Sequence, residues 1–138
     1  MEDRRQPDEE ATAANKAELS HRVEQALRSR DLDTVLEGRV AKAVEDDLVD
    51  FNRKVGPDGS IGEVDVETHK AIIEVTTWRA GKSKQIRKLL ANPEMNPAQK
   101  PVIFFAPHYG AHATTTITGT GAIVVRTEEE LLEVLATL

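Results

Sequence analysis

The stretch Gly62-Glu63-Val64-Asp65-Val66-Glu67-Thr68-His69-Lys70-Ala71-Ile72-Ile73-Glu74-Val75-Thr76 alternates apolar and acidic residues in its first half and is mostly apolar in its second. It reads as two short strands, about Ile61–Val66 and about Ala71–Thr77, joined by a polar turn over Glu67–Lys70. With Val66 opposite Ala71, Glu63 faces Glu74 and Asp65 faces Ile72. Side chains alternate along a strand, so Glu63, Asp65, Glu74 and Thr76 share one face, and Val64, Val66, Ile73 and Val75 the other. Glu74 interrupts a strand that otherwise has the composition of a buried one. Three neighbouring carboxylates repel one another and are costly to desolvate unless positive charge compensates them. A divalent cation does so, and an all-oxygen set of Asp65, Glu74 and Glu63 suits Mg2+ or Mn2+. The competing reading of Glu63 and Glu67 is the wet face of an antiparallel strand.

Working outward, residues 1–14 mix charges with small residues and carry no apolar periodicity, as in a loosely attached tail. Residues 1–30 are therefore expected to be a disordered or helical N-terminal extension, with a short helix from Asn15 to near Arg28, and residues 31–138 a single domain. Val35, Leu36, Val40, Ala43, Val44, Leu48 and Phe51 recur at helical spacing and predict one amphipathic helix over Thr34–Lys54, with Asp33 as its N-cap. Gly56-Pro57-Asp58-Gly59 ends it. Beyond the hairpin come a basic helix over Lys82–Ala91 and a buried strand over Pro101–Ala106. A polar connection through Gly121 follows, in which Thr114–Thr118 reads as strand or short helix. A strand over Ala122–Val125 leads to a final helix opened by the capping box of Thr127 and Glu130. The expected fold class is α/β (α+β), a central mixed β-sheet flanked by helices in the order α-β-β-(β)-α-β-β-α.

The chain has 138 residues, 39% hydrophobic and 30% charged, which suits one soluble domain with a proper core. It has no cysteine, excluding disulfides, thiolate ligands and a Cys nucleophile. No apolar run reaches the roughly 20 residues that span a bilayer, and the N-terminus lacks the apolar segment of a secretory signal. No membrane anchor is expected in this chain. The net charge of −6 argues against a nucleic-acid partner until its distribution is read. Residues 1–50 hold 8 basic and 14 acidic residues, residues 51–110 hold 9 and 6, and residues 111–138 hold 1 and 4. The basic excess falls on the segment that contains the hairpin.

The pattern Gly62-Glu63-Val64-Asp65, then Glu74-Val75-Thr76 nine residues on, resembles the core of the PD-(D/E)xK nuclease superfamily. With the downstream Lys-Gln helix, the Ala106-Pro107-His108-Tyr109-Gly110 turn and the Val125-Arg126-Thr127-Glu128 ending, it is similar to the C-terminal nuclease toxins of contact-dependent growth inhibition and related polymorphic toxin systems. The similarity covers about residues 34–138. It implies a restriction-endonuclease-like core and Mg2+-dependent phosphodiester hydrolysis, with tRNA as the first substrate and DNA as the second. It further implies delivery to competing bacteria as part of a larger secreted toxin, action in the target-cell cytoplasm, and a cognate immunity protein that plugs the cleft.

Carried over by position, the resemblance makes Asp65 and Glu74 metal ligands. Thr76 stands where the superfamily places its lysine, and Lys82 or Lys84 from the following helix is expected to replace it. Gln85 matches a helix glutamine near the substrate. Gly38-Arg39 is similar to a Gly-Arg-x-x-Glu start in which Lys42 occupies the Glu place; Glu45 is the expected replacement, with Glu37 behind it. Arg79, Lys82, Lys84, Arg87 and Lys88 form the expected backbone-binding surface, with His108 on the substrate side. The alternative is a non-catalytic nuclease-like module that binds nucleic acid or protein, favoured by Thr76 in the lysine position. Gly81-Lys82-Ser83 lacks the earlier glycine of a P-loop, and Trp78 reads as packing at the sheet edge.

Overall fold

The computed structural model describes the backbone of residues 7–138 and the side chains from residue 14 onward. The tail expected over residues 1–14 lies outside the described residues as far as residue 6. From there α1 runs over Pro7–Leu27, followed by α2 over Leu32–Ala43. Three strands come next, β1 over Leu48–Val55, β2 over Gly62–Thr68 and β3 over Ile72–Val75. The remainder alternates: α3 over Ser83–Ala91, β4 over Val102–Phe105, α4 over Ala111–Thr118, β5 over Ile123–Val125 and α5 over Glu128–Thr137. The five strands form one mixed sheet in the order β1-β2-β3-β4-β5, antiparallel from β1 to β3 and parallel from β3 to β5.

Alternation along the strands divides the core into two layers. Ile73, Val75, Ile103 and Phe105 meet α1, α2 and α5 through Leu19, Val23, Val40, Ala41 and Leu131. Ile72, Val102 and Phe104 face the other way, onto Ile86 and Leu89 of α3 and Ile117 of α4. Leu19, Val23 and Ala26 are buried, so α1 is packed into the same core as the sheet. Gly38 permits that packing, since a Cβ there would stand 3.0 Å from the Cβ of Ala26.

The single helix expected over Thr34–Lys54 is instead α2, a short 3-10 turn over Glu45–Asp47, and β1. Its misleading period has a physical origin. The β1–β2 register slips by one residue between Leu48 and Asp50, and Asn52 takes a left-handed φ of 52°. The buried residues of β1 therefore fall at Leu48, Phe51 and Val55, spaced by three and four as on a helix. Thr114–Thr118 belongs to α4 rather than to a strand. The α2 cap also lies two residues before the expected Asp33, with Asp31 accepting from the Asp33 N–H. At α5 the Thr127 hydroxyl accepts from the Glu130 N–H at 3.1 Å, as the capping box requires. No helix among the described residues is long and apolar enough to cross a membrane.

Candidate metal centre

The hairpin pairs Val66 with Ile73 and Glu67 with Ile72, two residues away from the register that simple turn counting predicts. A slip of two preserves alternation within each strand, but Val64, expected beside Val66, Ile73 and Val75, packs instead with Ile72 in the layer under α3. The slip also changes who meets whom: one step further along this register Asp65 stands against Glu74. Those two residues occupy the open end of the β2–β3 ladder. There Oδ2 of Asp65 accepts the Val75 backbone N–H at 2.9 Å, a side chain capping the sheet edge where the strands part. Gly62 starts β2 against Met95, whose Cε would be 2.8 Å from any Cβ at that position.

Glu37 on α2 and Glu63 and Asp65 on β2 bring one carboxylate oxygen each within 4.8 Å of one another. Asn52 of β1 completes the wall. With its amide nitrogen turned toward the acids, it donates to Glu63 Oε1 at 3.0 Å and to Glu37 Oε2 at 3.1 Å. Its left-handed backbone, which asparagine tolerates better than most residues, aims the amide there. From the α3 side, Gln85 Nε2 donates to Glu74 Oε1. The other oxygen of Glu74, Oε2, is buried with no donor in reach among the described residues.

The electrostatics follow from this crowding. Burial pushes the Glu37 carboxyl up to about 8, helped by the charges of Asp65, Glu63 and Asp33 and opposed by the Asn52 hydrogen bond. Burial likewise raises Asp65 to about 6, with Glu63 adding to the shift. The Val75 N–H, the neighbouring Glu74 carboxyl and the charge of Lys82 all oppose it. Glu74 is held well above the usual carboxylate range, first by burial and then by Asp65 and Glu37, while Lys82 again opposes. Burial and mutual repulsion of these carboxylates favour a bound proton, and a cation would compensate the same charges. Three clustered carboxylate oxygens beside an orphaned buried fourth fit a hard divalent cation with an all-oxygen shell.

Of the residues singled out in the sequence, Asp65, Glu74, Glu63 and Gln85 come together, and Lys82 acts electrostatically on the first two. Lys82 sits at the N-cap of α3 with its Nζ 4.0 Å above the Trp78 ring. Trp78 is 55% exposed and so is not simple edge packing. Lys84 is exposed. Lys88 reaches the Ile61 carbonyl instead of the acids. Thr76 is buried and its hydroxyl accepts from the Trp78 N–H at 3.0 Å. Glu45, expected as the helix acid, pairs with Lys42 at 3.1 Å beside Lys16 and Ser20 of α1, whereas Glu37 joins the cluster. The premature end of α2 explains the exchange: Glu45 lies past the helix, in the 3-10 turn. Glu67 is drawn to Arg53 at 3.0 Å and Lys100 at 2.7 Å, in a structural network.

Asn52 carried no sequence signal beyond its tolerance of turns, because its position lay inside a segment read as helix. Arg79 and His108 line a second feature, a groove of about 940 Å³ at the C-terminal ends of the parallel strands. Comparison of the chain with family models, curated proteins and solved structures gives no match.

Proposed function

We propose that the chain is a metal-dependent nuclease with a restriction-endonuclease-like core, acting on tRNA with DNA as second choice. In this reading it is the toxin domain of a larger secreted protein, active in the cytoplasm of a competing cell and held in check by an immunity protein. The observation that carries the catalytic part is the convergence of Glu37, Glu63 and Asp65 beside the unpartnered Oε2 of Glu74. Asp65, Glu63 and Glu74, with Glu37 as the helix acid, would hold Mg2+ or Mn2+. Such an ion supplies a water acidified toward hydroxide and neutralises charge on a phosphodiester.

The protein's own groups do the rest. Lys82, already attracted to Asp65 and Glu74, stands in for the lysine absent at Thr76 and offers its ammonium to a phosphate oxygen as negative charge builds there. Gln85 fixes the rotamer of Glu74, and Asn52 spaces Glu63 from Glu37. Lys84, Arg87 and Lys88 follow Lys82 along α3 and would give that helix an exposed basic face for a phosphate backbone.

The test is cleavage of tRNA and of plasmid DNA by the purified protein with Mg2+, with EDTA, and by Asp65→Ala and Glu74→Ala. Metal-dependent cleavage lost in both variants is expected. Cleavage indifferent to EDTA and to both substitutions overturns the metal reading, and absence of cleavage with retained nucleic-acid binding points to a non-catalytic module. Growth of cells expressing the chain, with and without the neighbouring gene, tests the toxin and immunity pairing.

A further inference from the structure

The groove beside the acidic cluster has its own chemistry. Its floor is apolar, made by Leu32, Val35 and Leu36 of α2 with Phe105 and Pro107 at the end of β4. Its rim carries three arginines and a histidine: Arg79 follows β3, His108 follows β4, Arg126 follows β5, and Arg39 projects from α2. Ligands of sheets with parallel strands gather at such carboxyl ends. Arg126 is a fixed charge, its Nε donating to the Tyr109 carbonyl at 2.9 Å and its Nη2 to the Thr114 hydroxyl at 2.8 Å. Glu128 and Glu129 also line the groove, at the start of α5. Arg39 spans to Glu128 at 3.5 Å, but both side chains are well exposed, and such a pair holds so weakly that an arriving phosphate can displace it.

α2 is the wall common to both features. Asp33 and Glu37 look toward the acids, while Leu32, Val35, Leu36 and Arg39 line the groove one helix face away. The Thr77 hydroxyl and N–H both donate to Asp33 Oδ1, at 2.5 and 3.2 Å, closing the seam between the two.

We propose that this groove seats an unpaired nucleotide of a single-stranded polynucleotide, base on the apolar floor and phosphate on Arg79, Arg39 and Arg126. The inference rests on the nuclease reading for its ligand and extends it to a substrate class. A volume of about 940 Å³ falls within the range of roughly 300–1,000 Å³ typical of pockets that enclose a compact organic group. An apolar floor needs an exposed base face, and a stacked duplex buries those faces between neighbouring pairs; unpaired loops and ends present both base faces and phosphates. Leu32, 77% exposed at the first turn of α2, is the apolar residue such a base would cover.

The experiment is fluorescence anisotropy in EDTA, where no cleavage intervenes, with a labelled single-stranded 12-mer and its duplex. The single strand is expected to bind more tightly than the duplex. Arg79→Ala should weaken it by about tenfold and reduce the salt slope by about one. Leu32→Glu places an acid where a helix start accepts one, so the fold survives, and should weaken binding at least about fivefold through the lost base contact and added repulsion. Glu128→Gln, which frees Arg39, should tighten binding. Equal affinity for the duplex, or single-strand binding untouched by Arg79→Ala and Leu32→Glu, overturns the proposal. If the protein then still cleaves with Mg2+, the catalytic reading survives without the groove. Groove-dependent single-strand binding without any cleavage leaves the groove standing and removes the nuclease.

Discussion

Replacing Asp65 by Asn should stabilise this protein while removing its metal response. In the folded chain the Asp65 carboxyl is raised from 3.8 to about 6, first by burial and then by Glu63, against the Val75 N–H, the neighbouring Glu74 carboxyl and the charge of Lys82. A folded-state value above the unfolded one means that the native state binds the proton more tightly. The stabilising contribution is complete below about pH 4 and is lost as pH rises to about 6. Two units correspond to about 3 kcal/mol, the approximate cost at pH 8 of keeping this carboxylate ionised inside the fold. Asn has no charge to desolvate. Its oxygen can keep the Val75 N–H, and its amide nitrogen can donate to the orphaned Glu74 Oε2. Urea denaturation followed by circular dichroism should therefore find Asp65→Asn more stable than wild type by up to about 3 kcal/mol at pH 8, with the difference vanishing near pH 3.5. Excess Mg2+ should stabilise the wild type at pH 8, by about 2.7 kcal/mol at a hundredfold excess over its Kd, and Asp65→Asn hardly at all. A variant no more stable than wild type at pH 8, or one that gains as much from Mg2+, would refute the argument that this cluster is a cation site held under electrostatic strain.

Glu37→Gln should lower metal-dependent cleavage by about 10- to 100-fold while Glu45→Gln leaves it unchanged, measured as initial rates at saturating Mg2+; the reverse pattern would return the helix acid to the 3-10 turn. Lys82→Ala should lower kcat about a hundredfold with little change in KM, and Trp78→Phe, which keeps an aromatic face under the ammonium, should retain most of the rate. Glu67→Ala leaves Arg53 and Lys100 without their common partner and should cost about 2 kcal/mol in urea denaturation without touching cleavage by the folded protein.

Much of the sheet was legible because its strands announce themselves chemically. Val102-Ile103-Phe104-Phe105 is apolar on both faces, as a parallel strand covered by helices on each side must be. The capping box at Thr127 marked α5 to within a residue. β1 was not legible, since a register slip and a left-handed Asn52 gave a strand the spacing of a helix. That misreading carried into the site: a helix continued through residue 45 makes Glu45 the natural acid, while the real end at Ala43 leaves Glu37 facing β2.

What the sequence determined by itself is the pair of strands that bear the acids, because the alternation along each of them survives a register error of two. Asp65, Glu74 and Glu63 follow from that alone. Only the tertiary structure decided that Asp65 opposes Glu74, that Asn52 and Glu37 close the cluster, and that Lys82 rather than Lys84 stands near it. Those choices depend on where β2 and β3 part and on how α2 and the start of α3 lie across the sheet, and long-range packing sets both.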